Sequence, residues 1–279
     1  REGSPSDEVT VLKKERGRLQ ETVDRLAAEM AGQERRVAAV HASLRAEKDG
    51  WLQKSADAKD ENGAVMMFIQ HCVVPRVMFS PTDALYCCKF AKLLIEMGTP
   101  SFSCLIFFDK VLKLLVNRVI CITDREASNL AIFLKDILST TETWRSTAEA
   151  YRAVAELPGF CIKLADPTSR RATFEEFRKL TSRWQAQLTK TFVTALDSRE
   201  YTQLRATLLV LVTLVKIPFP AKKTLGHRLQ AAVKEVIERE TREDLKMFAN
   251  MYSSQLTQQM NTAMVDEEEY GGGGAKKQP

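Results

Sequence analysis

The sequence is poor in residues that interrupt helices. Its 279 residues include 12 glycines and 9 prolines, and long runs of Leu, Ala, Glu, Lys and Arg pass without either, which argues against a turn-rich sandwich or barrel. No apolar run reaches the roughly 18 residues that a spanning helix needs, so no membrane partner is expected. The opening REGSPSDEV lacks the apolar core of a secretory signal. Catalytic hardware is missing too: there is no GxxxxGK[ST], GxGxxG or HExxH string. The three histidines, His41, His71 and His227, sit in no loop resembling a catalytic elbow. No enzyme activity, cofactor or metal is expected.

What is present reads as a soluble globular helical protein, 44% hydrophobic and 28% charged. The six cysteines, at 72, 87, 88, 104, 121 and 161, lie in helix-like apolar surroundings and read as reduced thiols of a cytosolic or nuclear protein. His71-Cys72 and Cys87-Cys88 could be metal ligands, but adjacent residues on a helix point about 100° apart and structural zinc pairs are usually spaced by two to four residues. Buried structural thiols are the favoured reading. Arg76 and Asp83 are candidates for an ion pair at the turn between two helices; alternatively Asp83 only complements the helix dipole.

Residues 9–54 carry a heptad. Leu12, Leu19, Leu26 and Val40 follow one seven-residue series, and Val23, Met30, Val37, Leu44 and Trp51 follow another offset by four, so both share one stripe of a long helix. Gln33 and Glu47 interrupt the seam, and Gly17, Gly32 and Gly50 weaken the helix by about 1 kcal/mol each relative to Ala. Such a coiled-coil-like helix needs another surface. The expected organisation is a disordered lead (1–8), the heptad helix (9–54), a polar linker (55–63), a helical-repeat domain (64–260) and a disordered tail (261–279). Within the domain, Ser80-Pro81-Thr82-Asp83 opens a helix, Gly98-Thr99-Pro100-Ser101 separates two, and Thr123-Asp124-Arg125-Glu126 is a capping box. Pro158-Gly159, the stretch ADPTSRRATFEEF and IPFPAKK mark further connections. The fold class is all-α: a long heptad helix followed by a solenoid-like, right-handed stack of antiparallel helices, inferred from rhythm because no repeat is legible.

Charge is unevenly spread. Residues 160–240 hold 15 Lys or Arg against 8 Asp or Glu, a net +7 that exceeds the +5 of the whole chain. Arg170, Arg171, Lys179, Arg183, Lys190, Lys222, Lys223 and Arg228 are the candidate contacts for RNA phosphates or an acidic partner, and of these Arg170, Arg171, Lys179, Arg183, Lys222 and Lys223 are expected to be largely exposed. An ordinary solvated helix face is the competing reading. Trp144, Phe160, Phe174, Phe177, Trp184 and Phe192, at helical spacing, are expected in the core rather than as base-stacking platforms.

The order of short strings resembles one family. Phe68-Ile69-Gln70-His71-Cys72, Pro75-Arg76, Phe79-Ser80-Pro81, Asp83-Ala84-Leu85-Tyr86-Cys87 and Thr99-Pro100-Ser101-Phe102-Ser103 are similar to the family of the large second subunit of the THO complex. So are Trp144, Pro158-Gly159-Phe160, Phe174-Glu175-Glu176-Phe177-Arg178, Leu188-Thr189-Lys190, Glu200-Tyr201-Thr202 and Tyr252-Ser253-Ser254-Gln255-Leu256. The resemblance runs from about residue 45 to 256 and implies a C-terminal helical part of a much larger nuclear scaffold. It further implies that the chain couples transcription to messenger RNA packaging and export, with other THO subunits and a DEAD-box RNA helicase as partners. Family members often carry a long basic tail, whereas this chain ends soon after the acidic DEEEY.

Overall fold

The computed structural model describes residues 5–52, 63–162, 169–266 and 270. Among these the chain is all-α, and in place of strands there are two isolated bridges, Cys161 with Arg171 and Lys222 with Val265. Two compact units are formed, residues 1–51 and 52–279.

The first unit is one helix, α1 (Pro5–Glu47), followed by a tight 3-10 turn over Lys48–Gly50. Four residues expected in the lead are therefore helical, since proline suits a first turn; residues 1–4 lie outside the described residues. The helix stops short of residue 54 because Asp49-Gly50 favours a tightened end over another α-turn.

The second unit holds ten helices among its described residues: α2 (Gly63–Phe68), α3 (Val74–Phe79), α4 (Pro81–Glu96), α5 (Cys104–Val116), α6 (Asp124–Ser146), α7 (Ala148–Ala155), α8 (Phe174–Leu196), α9 (Tyr201–Leu214), α10 (Lys223–Arg239) and α11 (Glu243–Thr262). Of the expected linker, residues 55–62 lie outside the described residues and Gly63 opens α2.

Side-chain caps fix several starts. Ser80 Oγ accepts from the Asp83 N–H at 3.1 Å, with Pro81 in the first turn of α4. Thr123 and Glu126 cap each other reciprocally at α6, as do Thr173 and Glu176 at α8. Gly98, at φ +62°, makes the turn after α4, a conformation glycine adopts without steric strain.

The long helix α6 organises the body. It packs on α3, α4, α7 and α8, and most extensively on α9, so the arrangement is not a purely sequential stack. Ala127, Leu130, Ala131, Phe133, Leu134 and Ile137 are its buried face. Beside it an aromatic cluster joins α5, α6, α7 and α8. Phe108 lies 5.8 Å from Trp144 and 6.0 Å from Trp184, and Phe177 lies 5.0 Å from Tyr151. Phe160, Phe177, Trp184 and Phe192 are buried, while Trp144 and Phe174 are half-buried. The Trp184 indole N–H donates to Asp109 at 3.2 Å, giving its polar edge a partner.

From the sequence, Pro75 and Pro81 are expected to end one helix and restart another at the corner between α2 and α4, and the structure bears out only the second. Pro75 does not end a helix. Its ring would strike the carbonyl one turn back, and it has no N–H to donate there; the chain instead widens into a π-turn over Ile69–Val73, with the Val74 N–H donating to the Ile69 carbonyl, and stays helical to Phe79. Pro81 does restart a helix. Cys87 and Cys88 are buried, and the Cys88 thiol faces the Phe133 carbonyl at 3.6 Å. Burial pushes the Cys87 thiol up to about 11 and raises Cys88 further, so both are held as neutral thiols. Cys72, expected to fill the contact, is exposed. The Arg76–Asp83 ion pair forms at 2.8 Å, and Ser80 Oγ also donates to Asp83 at 2.6 Å.

The expected disordered tail is in part folded. α11 runs to Thr262, the Val265 N–H donates to the Ala221 carbonyl at 2.9 Å, and Tyr270 is fully buried. Residues 267–269 and 271–279 lie outside the described residues.

The corner between α10 and α11 is tied by a carboxylate. Glu240 accepts from the Arg242 guanidinium at 2.8 and 2.6 Å and from the backbone N–H groups of Thr241 and Arg242 at 2.9 and 3.1 Å. The Arg242 bond first, then the two backbone bonds, pull its carboxyl from an ordinary 4.5 down to about 2 against the opposing effect of burial. A lowered folded value means the stabilisation is full above about 4.5 and fades as pH falls toward 2. Replacing Glu240 with Gln is expected to remove roughly 2 kcal/mol at neutral pH. It should also flatten the fall of melting temperature between pH 4.5 and 2, which thermal melts across that range will show.

Candidate functional site

The eight basic candidates do not form one surface. Arg170 makes a two-pronged pair with Glu176, at 2.8 and 2.6 Å. Glu176 also caps α8 through Thr173, and the Arg170 bond, followed by the Thr173 backbone bond, lowers its carboxyl to about 2. Arg170 thus secures a helix start. Arg171 reaches Glu156 at 3.1 Å and Lys223 reaches Asp266 at 3.2 Å. Lys222, expected to be exposed, is 4% exposed. The pairing of Val265 with the connector draws it inward, and its ammonium lies 5.4 Å from the centre of the Tyr270 ring.

Four candidates remain open to solvent. Lys179, Arg183 and Lys190 recur along the outer face of α8, and Arg228 lies on α10. Among the described residues none of the four has an ion-pair partner. Lys190 and Arg228 flank a shallow groove of about 310 Å³ between α8 and α10, with Val193, Ala231 and Ala232 on its floor and Glu235 at its edge. Small apolar residues between two cations suit the backbone of an acidic segment better than a flat base, since the nearby rings of Trp184 and Phe192 are buried.

The second candidate surface is the seam of α1. Leu12, Leu19, Val23, Leu26, Met30, Val37 and Val40 are each between 50% and 67% exposed, and Leu44 and Trp51 are partly covered. Exposed apolar side chains at heptad spacing form a stripe of the kind that packs against a second helix in a coiled coil.

A third surface escaped sequence reasoning. Phe68, His71, Cys72, Arg76, Tyr86 and Phe90 line a half-open groove of about 400 Å³ beside the π-turn, and Phe79 nearby is 75% exposed. The Arg76 guanidinium lies over Tyr86 at 4.6 Å, and Tyr86 stacks on Phe90 at 5.8 Å. The one sequence signal was a proline inside an otherwise helical run, which π-turns accommodate. Although two thiols and an imidazole share this groove, no set of three or more His, Cys, Asp or Glu able to hold a metal occurs among the described residues.

Three surfaces thus stand open among the described residues: the groove between α8 and α10, the seam of α1 and the groove beside the π-turn. A family model described as "Transcription factor/nuclear export subunit protein 2" matches residues 1–256. The chain belongs to the Tho2 family. THO complex subunit 2 of Arabidopsis thaliana is 33% identical over 265 residues, covering 94% of this chain and 14% of that protein. The human subunit is 33% identical over 256 residues, covering 88% of the chain and 16% of the relative. The Saccharomyces cerevisiae subunit is 24% identical over 204 residues. The chain therefore spans only about a ninth to a sixth of the length of these relatives. No described helix is long and apolar enough to cross a membrane.

Proposed function

We propose that this chain is a non-enzymatic scaffold segment of a nuclear THO-type complex, coupling transcription to messenger RNA packaging and export by holding other THO subunits and a DEAD-box RNA helicase. The observation that carries this reading is the apolar stripe of α1, left exposed from Leu12 to Val40 on a chain whose family is a complex subunit. In this reading α1 joins subunits, and the helical body is a stacked platform whose open cations, Lys179, Arg183, Lys190 and Arg228, receive the acidic flank of the helicase.

A second reading, direct RNA binding by the same four cations, is favoured by their lack of ion-pair partners among the described residues. The two part in one experiment. Reversing all four to Glu should leave helicity and melting nearly unchanged, because the side chains are exposed, and should weaken helicase association at least about tenfold, as loss of a complementary charged face does. If instead the variant binds the helicase normally but loses RNA affinity, with the slope of log affinity against log salt reduced by about 3 units, the RNA reading holds. Normal binding of both would leave the four cations as a solvated face.

A further inference from the structure

The heptad of α1 contains its own complement. The series of Val23, Met30, Val37 and Leu44 also includes Arg16, and the series of Leu19, Leu26 and Val40 includes Gln33 and Glu47. These polar positions, which interrupt the seam in a single helix, fall into register when two copies run in opposite directions. Setting Arg16 against the partner's Glu47 brings Val23 opposite the partner's Val40, Val37 opposite the partner's Leu26, and Leu44 opposite the partner's Leu19. Met30 then meets the partner's Gln33. By two-fold symmetry each contact occurs twice, so opposite charges meet at both ends of the seam and apolar residues meet between them, with Met30 against Gln33 the one mixed layer. The overlap of the two helices is about 48 Å at about 1.5 Å per residue.

Flanking charges support the same register. Glu29 and Arg36 precede Met30 and Val37 on one edge of the seam, and the antiparallel alignment places Glu29 beside the partner's Arg36, again twice. The opposite edge carries one unfavourable apposition, Lys13 near the partner's Lys48. It lies at the ends of the overlap, where Lys48 already belongs to the 3-10 turn beyond α1 and solvent screens it. A parallel, in-register pair fares worse: Arg16 would face the partner's Arg16, Glu47 the partner's Glu47, and Glu29 the partner's Glu34. Like charges at and beside a coiled-coil seam select against that orientation.

We propose that α1 is a self-complementary antiparallel dimerisation helix, whose occupant is the α1 of a second copy of this chain. The apolar side chains concerned are half or more exposed from Leu19 to Val40, and burying them against the symmetric stripe supplies the tertiary contact that a long solvent-exposed helix needs. The proposal builds on the assembly role given to α1 above and is independent of helicase or RNA docking.

Sedimentation equilibrium of the full chain and four variants tests it. The parent protein should dimerise in a concentration-dependent way. Arg16→Glu and Glu47→Arg should each weaken the dimer about tenfold or more, since each replaces two opposite-charge contacts with two like-charge ones. The double variant carrying both should recover to within about threefold, because the pair is restored with its sign exchanged. The double variant Leu26→Asp with Val37→Asp, which puts charges into facing positions, should be monomeric. Circular dichroism and the melting of the body serve to show that each variant is folded. A monomeric parent overturns the proposal and leaves a different THO subunit as the occupant of the stripe. A dimer that survives Leu26→Asp with Val37→Asp, or that ignores the charge exchange, or that is not rescued in the double variant, overturns the interface or its orientation.

Discussion

Replacing Tyr270 with alanine should lower the stability of the body by about 3–5 kcal/mol, the usual range for removing a fully buried large aromatic side chain. Tyr270 is 0% exposed. The Arg145 guanidinium lies 4.0 Å from the ring centre and the Lys222 ammonium 5.4 Å, so the ring sits between two cations that are themselves largely withdrawn from water. Its hydroxyl donates to Glu142 at 3.4 Å, Arg178 donates to its carbonyl at 3.0 Å, and its N–H donates to the Asp266 carbonyl at 3.1 Å. The residue therefore fastens the segment beyond α11 to α6, α8 and the connector before α10. At 2–4 °C per kcal/mol for a unit of this size, the melting temperature should fall by about 10 °C. Tyr270→Phe keeps the ring and both cation contacts, and should lose no more than about 1 kcal/mol for its long hydrogen bond. Thermal melts of the two variants make the comparison. Equal losses would mean that the hydroxyl, rather than the ring, holds the segment.

Phe177→Ala should be as severe. The Phe177 ring is buried, 5.0 Å from Tyr151, 6.2 Å from Phe160, 6.3 Å from Trp184 and 6.4 Å from Trp144. Its removal leaves a cavity shared by α6, α7, α8 and the 3-10 turn at Pro158–Phe160, whose rigid rings cannot collapse to fill it. About 4 kcal/mol is expected, with contributions of about 0.5–1.5 kcal/mol from each well-oriented ring pair within it. Phe177→Leu, which refills much of the volume, should recover about half. Denaturant melts followed by the fluorescence of Trp144 and Trp184 will report both the stability and the loosening of the cluster. A loss below about 1 kcal/mol for the alanine variant would show that these rings pack far more loosely than their distances imply.

Neither effect was equally legible beforehand. Phe177 belongs to Phe174-Glu175-Glu176-Phe177-Arg178, a string that follows a helix cap and repeats at helical spacing, so its burial could be read from pattern. Tyr270 follows four acidic residues and precedes four glycines, a composition that looks unable to pack. Its burial depends on Arg145, Arg178 and Lys222, which come from separate parts of the chain. The same distinction explains the basic residues. Arg170 and Glu176 are six apart and Arg171 and Glu156 fifteen apart, but Lys223 meets Asp266 across 43 residues. Counting charge between 160 and 240 could not reveal a partner outside that window.

By itself the sequence determined what depends on neighbours along the chain. Period fixes the helices and the stripe of α1, because positions seven apart share a helix face. Capping pairs three apart, Ser80 with Asp83 and Thr123 with Glu126, fix starts, because the donors they satisfy lie in the same turn. Family membership, too, was legible in ordered strings. Tertiary structure alone decided which cations stay open, where Pro75 converts a helix into a π-turn instead of ending it, and how Tyr270 closes the body. Each of these is settled by groups that folding brings together from distant positions, and the energy of a charge or a ring depends on that surrounding rather than on its place in the chain.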